Sequence, residues 1–243
     1  MTQQDRNNAA VSETLGYILL FAIVTLSMGV IYAIGYPALQ SNIDANVFES
    51  TEQNFIVLQS NMDRVAFDQT PVKVLQMKLQ ESTLSASNSS SITISYDSNT
   101  TYYTAGEIEY LRKDNTITYE MGGVFKHYSP DSSVMVSKPS IYTGTINNVN
   151  STTIGIVSVS GNRSVSGNGI ATITMKNNKS HMSASSGTSD LTVNLSSRYA
   201  PEWEKFLDEN GFEIINSNSS VVSAVRKDTF LILSRHVVDV DIS

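Results

Sequence analysis

The chain has 243 residues, with 23 acidic and 16 basic side chains, a formal net charge of -7 and no cysteine. A chain of this length can form one or two domains with a hydrophobic core. The lack of cysteine excludes disulfides, thiolate metal sites and thiol catalysis, and because no block of Lys or Arg is present we expect no nucleic-acid partner.

An apolar segment follows a short polar leader of residues 1–13. Residues 15–39 contain no charged side chain, and an α-helix needs about 20 apolar residues to cross a bilayer. The apolar region of a cleaved secretory signal is shorter, at about 7–15 residues, and a helix in a soluble core would have a more polar face. The sequence therefore predicts a transmembrane helix over residues 14–39, with the lipid membrane as a partner.

Tyrosines lie at both ends of this segment, with Tyr17 at one end and Tyr32 and Tyr36 at the other. They are either anchors at the two membrane interfaces or ordinary helix-surface residues. Charge predicts the orientation, because Arg6 precedes the segment whereas the first charged residue after it is Asp44. The positive-inside rule then predicts a single-pass protein of the cell membrane with a cytoplasmic N-terminus and an extracellular C-terminal domain.

A helical pattern continues beyond the apolar segment. After a predicted bend at Gly35–Pro37, the sequence predicts an amphipathic helical extension over residues 40–68. Its apolar residues recur at mostly helical spacing and are Ile43, Val47, Phe55, Leu58, Met62 and Val65. This face needs a partner, which is either the chain's own C-terminal domain or the same helix of a neighbouring subunit.

The hydrophobic period changes to two after Pro71, which disfavours helix in the residue before it. Several short segments now alternate apolar and polar residues and are rich in β-branched and aromatic side chains, as strands are. They are Leu75–Gln80, Ile92–Tyr96, Ile117–Tyr119, Ile154–Ile156, Ile170–Ile173 and Leu191–Leu195. With turn clusters between them, they predict an antiparallel, sandwich-like β domain over residues 71–243, and therefore an α+β fold class.

Further elements are predicted towards the C-terminus. A short helix over Pro201–Asn210 begins with a proline and ends before a glycine, and its apolar face is predicted to cover a sheet. Phe230–Leu233 is predicted to be a buried central strand, and Val238–Ile242 an edge or half-exposed strand. The Ser- and Asn-rich stretches Ser85–Ser91, Lys176–Ser189 and Asn216–Ser220 are predicted to be exposed loops.

Residue patterns that carry catalytic chemistry are few. His127, His181 and His236 are far apart and form no HExxH motif, and no GxSxG nucleophile motif occurs. The acidic pairs Asp208–Glu209 and Asp239/Asp241 are explained by a solvated helix end and by the polar face of a strand. We therefore predict that the chain is not an enzyme and has no cofactor and no metal site.

Seven asparagines begin N-x-S/T triplets, which are acceptors for N-glycosylation in exported proteins. They are Asn88, Asn99, Asn150, Asn162, Asn178, Asn194 and Asn218. All of them lie within the predicted extracellular domain, so we expect glycosylation at some of these sites.

The segment AAVSETLGYILLFAIVTLSMGVIYAI, Ala9–Ile34, resembles the N-terminal segment of archaeal type IV pilin-like and archaellin-like proteins. The resemblance lies in a short polar leader, the Val11–Ser12 step, Gly16 and the uninterrupted apolar helix that follows. The remainder of the chain, with EQNFIVLQSNMDRVAFD and PEWEKFLDENGFEI, is similar to an uncharacterised group of archaeal membrane-anchored surface proteins.

This resemblance implies a prepilin-type leader that is removed on the cytoplasmic side. The helix behind it would either hold the subunit in the membrane or pack in the core of a filament. Cleavage between Asn8 and Ala9 would make Glu13 the fifth residue, where type IV pilins often have a glutamate that meets the N-terminal amine of a neighbouring subunit. The basic residues usual before such a site are represented here by Arg6 alone.

We therefore expect an exported, membrane-anchored cell-surface protein of pilin-like architecture with a structural, assembly or adhesive role, which pairs with copies of itself or with other pilin-like subunits. The alternative is an anchored ectodomain that binds a ligand or polymer and forms no filaments. Clustering of tyrosines on one sheet face would favour the alternative, the candidates being Tyr96, Tyr102, Tyr103, Tyr110 and Tyr119. A continuous apolar stripe on an exposed helix would favour assembly.

Overall fold

Helix α1 spans Gln3–Ala66, 64 residues, and Pro37 lies inside it. The computed structural model describes residues 3–128 and 132–243, with residues 3–14 described by their backbone alone. Although a proline removes one helical hydrogen bond, α1 continues through Gly35–Pro37, where the sequence predicts a bend. The chain divides into two units, Met1–Ser50 and Thr51–Ser243, so that the last part of α1 belongs to the second unit.

The amphipathic extension of α1 finds its partner inside the second unit. Phe55, Leu58, Met62 and Val65 are fully buried there, which confirms the chain's own domain as the partner of this part of the face. The side-chain amide of Gln59 donates to the carbonyl oxygens of Gly122 at 2.6 Å and Lys138 at 3.0 Å. These hydrogen bonds hold the helix against two loops of the β structure.

The second unit contains fourteen described strands and one short helix. In chain order the strands are β1 Val72–Lys78, β2 Ser82–Ser87, β3 Ser91–Tyr96, β4 Asn99–Thr104, β5 Glu107–Arg112, β6 Asn115–Glu120, β7 Gly123–Tyr128, β8 Ser132–Ser137, β9 Ile141–Ile146, β10 Val149–Ser160, β11 Ser164–Gly167, β12 Ile170–Ser196, β13 Glu213–Ser217 and β14 Val221–Ile242. Helix α2, Ala200–Glu209, lies between β12 and β13.

The strands form two sheets. One has eight strands in the order β4-β3-β12-β14-β10-β9, with β1 added to β12 and β13 to β14, and the other has six in the order β11-β2-β5-β6-β7-β8. Their pairing is antiparallel except between β10 and β14, which run parallel. The α+β, sandwich-like fold class predicted from the sequence is confirmed. The parallel pair departs from the antiparallel pattern because β10 and β14 are brought together by a long crossover.

Tight turns set the register of several hairpins. Asp97 and Ser98, which join β3 to β4, both have positive φ, at 47° and 64°. Asn147 and Asn148, which join β9 to β10, have φ of 52° and 61°. Two-residue turns with positive φ at both positions match the twist of the flanking strands, and Asp and Asn tolerate that conformation well.

One core lies between the two sheets and α2. It includes Ile94 and Val193 from the eight-stranded sheet, Phe125 from the six-stranded sheet, and Trp203 and Phe206 from α2. The predicted helix and its sheet-covering face are thus confirmed.

Two predictions for the β domain were wrong. Lys176–Ser189 was predicted as an exposed loop, but it is the exposed middle of β12, held by pairing with β14. For Val238–Ile242 the edge alternative is wrong, since this segment belongs to β14, which lies inside the sheet between β12 and β10; the half-exposed alternative is confirmed, because Val238, Val240 and Ile242 are buried and the aspartates between them are not. Ser85–Ser91 is only partly a loop, because its first residues belong to β2 and its last to β3.

Candidate functional site

The candidate functional element of the first unit is the apolar segment of α1. Every side chain from 15 to 39 is exposed, including Phe21 at 72% and Ile31 at 70%. Its most apolar stretch has a mean hydropathy of 2.4, and none of that stretch is buried. In the described part of the chain, α1 is the one helix long and apolar enough to cross a membrane. Such a surface is stable only when lipid or protein covers it.

Polar groups along this segment lie where a membrane helix tolerates them. The hydroxyl of Thr25 donates to the carbonyl oxygen of Phe21 at 2.8 Å, so the helix itself satisfies it. Tyr17 is exposed at one end, and Tyr32 and Tyr36 stack at the other with ring centroids 5.5 Å apart. The rings point outward, as interface anchors and ordinary helix-surface tyrosines both would.

The processing and assembly candidates lie in the first turns of α1. Asn8, Ala9 and Glu13 have helical backbone, and their side chains lie outside the described part of the structure. Their roles in cleavage and assembly therefore stay predictions.

The predicted glycosylation acceptors differ in accessibility. Exposed side chains belong to Asn88, Asn99, Asn162, Asn178 and Asn218, whereas Asn150 and Asn194 are half-buried. Asn194 lies within β12, paired with Thr93 on one side and Ser223 on the other. The amide of Asn178 donates to Asp239 at 2.8 Å, and the side-chain oxygen of Asn218 accepts from the backbone N–H groups of Ser220 and Val221. Asn88 and Asn162 lie in loops between strands.

The five candidate tyrosines do not form one face. Tyr110 and Tyr119 are fully buried in the six-stranded sheet, and the hydroxyl of Tyr110 donates to the carbonyl oxygen of Leu79. Tyr96, Tyr102 and Tyr103 belong to the β3–β4 hairpin of the other sheet. Because side chains alternate along a strand, Tyr102 and Tyr103 point to opposite faces.

A buried carboxyl group links α2 to the six-stranded sheet. Glu120 accepts hydrogen bonds from the indole N–H of Trp203 at 2.9 Å and from the hydroxyl of Ser197 at 3.0 Å. Burial raises the pKa of Glu120 from 4.5 to about 7, although both hydrogen bonds favour the charged form. Both carboxylate oxygens therefore have structural partners, and the group fixes the position of α2.

An ion-pair cluster adjoins this carboxyl group. The guanidinium of Arg198 donates to Glu107 at 2.6 Å and also pairs with Glu109. These two carboxylates raise the pKa of Arg198 despite its partial burial. Glu107 also accepts from the hydroxyl of Ser87 at 3.2 Å. The cluster binds the start of α2 to β5 and to the end of β2.

His127 lies in the six-stranded sheet, whereas His181 and His236 lie on the paired strands β12 and β14. His236 pairs with Ser180 and His181 with Arg235, so the two histidine side chains point to opposite faces of the sheet. His127 contacts Ser133 through its Nδ1, and His236 contacts Ser180 in the same way. His236 also packs edge-on against Phe67, and burial lowers its pKa. Across residues 3–128 and 132–243 no group of three His, Cys, Asp or Glu side chains is placed to hold a metal ion.

Comparison with known proteins identifies one family. A family model described as a family of unknown function, DUF7289, matches residues 9–241. The chain belongs to DUF7289. No curated protein and no solved structure matches it.

The DUF7289 match has one structural consequence. It includes the apolar segment of α1 together with both β-sheets. The apolar helix is therefore part of the sequence that the DUF7289 model matches.

Two features of this DUF7289 chain depend on residues that are far apart in the sequence. Glu120 and Trp203 are 83 positions apart in the sequence. Their hydrogen bond could therefore not be predicted from either residue's local sequence. A groove beside Tyr96 and Tyr103 is formed by strands from both halves of the domain. Of this groove, the sequence indicated only the tyrosine-rich segment that forms the β3–β4 hairpin.

Proposed function

We propose that this chain is an exported, membrane-anchored cell-surface protein of pilin-like architecture. Residues 15–39 of α1 form its membrane anchor, and the β-rich second unit performs a structural, assembly or adhesive role outside the cell. The proposal is for a non-catalytic protein whose partners are the lipid membrane and further pilin-like subunits, including copies of itself.

One observation carries the anchor proposal: an uncharged helical segment is exposed on every side. Its 25 residues extend for roughly 37 Å at 1.5 Å per residue, which exceeds the ~30 Å hydrocarbon thickness of a bilayer. Water is a poor solvent for such a surface, whereas acyl chains or neighbouring helices match it. The DUF7289 match includes this segment, which supports a role for it in the mature protein.

Charge supports the orientation. Arg6 stands before the segment, and the acidic Asp44 and Glu49 follow it. Basic residues are retained on the cytoplasmic side of membrane helices. We therefore place the N-terminus in the cytoplasm and the β domain outside, where its exposed asparagine triplets would meet the glycosylation machinery.

Small side chains support helix-to-helix assembly. Thr25, Gly29 and Ala33 follow one another at four-residue spacing along one side of α1. A Cβ added at Gly29 would meet nothing within 4 Å, so this side is open for another helix to approach closely. In an assembly of several such helices, neighbouring helices would cover apolar surface that only lipid covers around a single membrane helix.

Membrane fractionation tests the anchor. The full chain with a C-terminal tag should remain in the membrane pellet through carbonate washes and be released by detergent. A double variant with Ile23→Lys and Met28→Lys should shift to the soluble fraction or be degraded, because each lysine near the helix centre costs about 2.5–3.5 kcal/mol on insertion. A soluble wild-type chain would overturn the anchor proposal.

A matched variant separates membrane insertion from general damage. Met182 and Ile215 are exposed in the second unit at 73% and 60%, close to Met28 and Ile23 at 69% and 58%. Replacing Met182 and Ile215 by lysine makes the same chemical change on the β domain. This control should fractionate as the wild type does, and loss of both double variants from the pellet would contradict the assignment of the anchor to residues 15–39.

A further inference from the structure

A groove of about 470 Å³ lies on the eight-stranded sheet, beside the β3–β4 hairpin. Its other wall is formed by the middle of β12 and the adjacent part of β14. Ligand pockets in proteins have volumes of roughly 300–1,000 Å³. The groove is therefore large enough for a small ligand or for a short part of a polymer.

An irregularity in β12 shapes this groove. Ala184 pairs with Ile232 and Thr188 with Phe230, so that β12 uses four steps where β14 uses two. The extra residues disturb the ladder and bend the strand. Ser185 holds them in place, because its hydroxyl donates to the carbonyl oxygen of Gly187 at 2.8 Å and accepts from the N–H of Leu231 at 3.0 Å.

Two tyrosine rings are fixed in the groove. The hydroxyl of Tyr96 lies 2.7 Å from the carbonyl oxygen of Gly187 and 2.8 Å from that of Thr229, and these two acceptors share its one hydrogen. The guanidinium of Arg235 lies 4.8 Å from the ring centroid of Tyr103. Both rings are therefore held in place before a ligand arrives, which reduces the entropy lost on binding.

Polar groups surround these rings. Asp97 lies in the tight turn at the end of the hairpin and Asn99 is the first residue of β4, and the amide of Asn99 donates to the carbonyl oxygen of Asp97 at 3.2 Å. His181 also lines the groove, together with the hydroxyl groups of Thr101, Ser183, Ser185, Ser186, Thr188 and Ser189. The groove thus combines aromatic surface with many neutral hydrogen-bonding groups.

We propose that this groove binds a short segment of a neutral oligosaccharide. A sugar ring presents C–H surface to an aromatic ring and hydroxyl groups at its edge, and Tyr side chains offer both an apolar face and a polar tip. Hydroxyl, amide and carboxylate side chains supply the hydrogen bonds that fix orientation in such a site. Asp97 lines the groove and disfavours acidic sugars through like-charge repulsion, whereas Arg235 contacts the Tyr103 ring without lining the groove itself.

An extended peptide fits this groove less well. Peptides that bind sheets add a strand to a free edge, and the free edge nearby is that of β4, the outermost strand of the sheet order. The groove instead lies on the sheet face that carries Ile94, Leu231 and Leu233. Most of its walls are side chains, whereas a peptide strand would add along the edge of β4.

Asn99 connects this groove to glycosylation. It is both a lining residue and the first residue of an acceptor triplet. A glycan on Asn99 would occupy the mouth of the groove. Binding must therefore be measured on full chain produced without N-glycosylation.

Calorimetric titration in micelles tests the proposal. The full-length protein is kept in a detergent with a phosphocholine headgroup, since a sugar headgroup would compete. The probes are trisaccharides of glucose, of mannose and of N-acetylglucosamine, with a trigalacturonate and an extended serine-threonine peptide for comparison. We expect at least one neutral trisaccharide to bind, and the acidic sugar and the peptide not to bind.

Adjacent tyrosines provide a matched pair of variants. Tyr103→Ala should weaken trisaccharide binding at least about tenfold, a change of ~1.4 kcal/mol, and Tyr103→Phe should retain most of it. Tyr102→Ala removes a 63% exposed ring from the other face of β4 and should leave affinity within about twofold. Asp97→Gly should also weaken binding while leaving the positive-φ turn unstrained.

Several outcomes would overturn the proposal. One is that none of the three neutral trisaccharides binds at millimolar concentration, and another is that only the acidic sugar or the peptide binds. Equal affinity in Tyr103→Ala, Asp97→Gly and the wild type would place the binding elsewhere on the protein. Circular dichroism and thermal unfolding of each variant show whether a loss of binding reflects a loss of fold, and Asp97→Gly decides the case if Tyr103→Ala does not fold.

Discussion

Glu120 is a carboxyl group held away from water between Ser197 and Trp203. Its folded pKa of about 7 lies above the ordinary value of 4.5 because burial penalises the charged form. A carboxyl group with a raised folded pKa contributes its full stability below the unfolded pKa and loses it as the pH rises through the folded pKa. For a shift of this size the loss is about 3 kcal/mol between acid and alkaline limits.

The prediction for Glu120→Gln follows from this linkage. We expect the free energy of unfolding of the wild type to fall between pH 4.5 and 7, and the variant to fall less, because glutamine keeps an acceptor for Trp203 and does not ionise. Urea unfolding from pH 4 to 8 measures this. Asp114→Asn, in the exposed β5–β6 turn, removes a carboxylate without touching the core and serves as the control. Parallel pH curves for Glu120→Gln and the wild type would contradict the prediction.

Gly106 is required by both its conformation and its surroundings. Its φ is +67°, and an added Cβ would lie 2.3 Å from the carbonyl oxygen of Val159. Backbone atoms cannot yield as a flexible side chain can, so Gly106→Ala should destabilise the second unit by about 3 kcal/mol or more. Gly169→Ala is the control, since a Cβ there meets nothing within 4 Å and its φ is not in the left-handed region. Similar unfolding midpoints for both variants would refute the steric argument.

At the scale of elements, hydrophobic periodicity correctly predicted those helices and strands whose structure is determined by residues close in sequence. The alternation of Ile92–Tyr96 and the apolar face of α2 were visible because the residues concerned are close in sequence. Lys176–Ser189 has no such alternation, and it is a strand only because β14 pairs with it from far along the chain. The groove and the Glu120 hydrogen bonds could not be predicted for the same reason, since each depends on side chains that only the folded sheets bring together.

Strand pairing also determines how accessible each glycosylation acceptor is. Asn88 and Asn162 are exposed in loops, whereas Asn194 is half-buried and paired on both sides within β12. If the β domain is exported in a cell with N-glycosylation, we expect glycans on Asn88 and Asn162 and none on Asn194. Glycopeptide mass spectrometry of the native protein measures occupancy at each triplet. A glycan on Asn194 would show that the acceptor is modified before β12 pairs, contrary to this ordering.

At the scale of the whole molecule, one chain combines an apolar helical segment whose exposure to water is unfavourable with a β domain that has a packed core of its own. Among the described residues, side chains 15–39 of α1 are exposed. Two ways of covering them remain, namely lipid alone around a lone anchor or lipid and neighbouring helices in an assembly. The β domain would act as an individual surface module in the first case and as a repeating subunit in the second.

Glu13 distinguishes these two cases. At the edge of an uncleaved anchor its carboxylate would be solvated, and Glu13→Gln should change little, because an exposed ion pair contributes only ~0–1 kcal/mol. If the leader is removed after Asn8 and the helices assemble, the carboxylate enters an apolar bundle, where an unpaired charge is heavily penalised. The new amine of Ala9 in a neighbouring subunit is then its expected partner.

If the subunits assemble, we predict that Glu13→Gln leaves membrane insertion intact and reduces crosslinked oligomers or surface filaments; for a lone anchor we predict that it changes neither. Asp44→Asn is the control, because it neutralises a carboxylate that lies beyond the apolar segment. Mass spectrometry of the mature N-terminus completes the test: Ala9 as the first residue agrees with processing. A wild-type protein that still begins at Met1 or Thr2, with equal crosslinking in Glu13→Gln, would exclude the filament subunit and leave the lone anchored module, since an uncleaved chain has no amine at Ala9 for the carboxylate to meet.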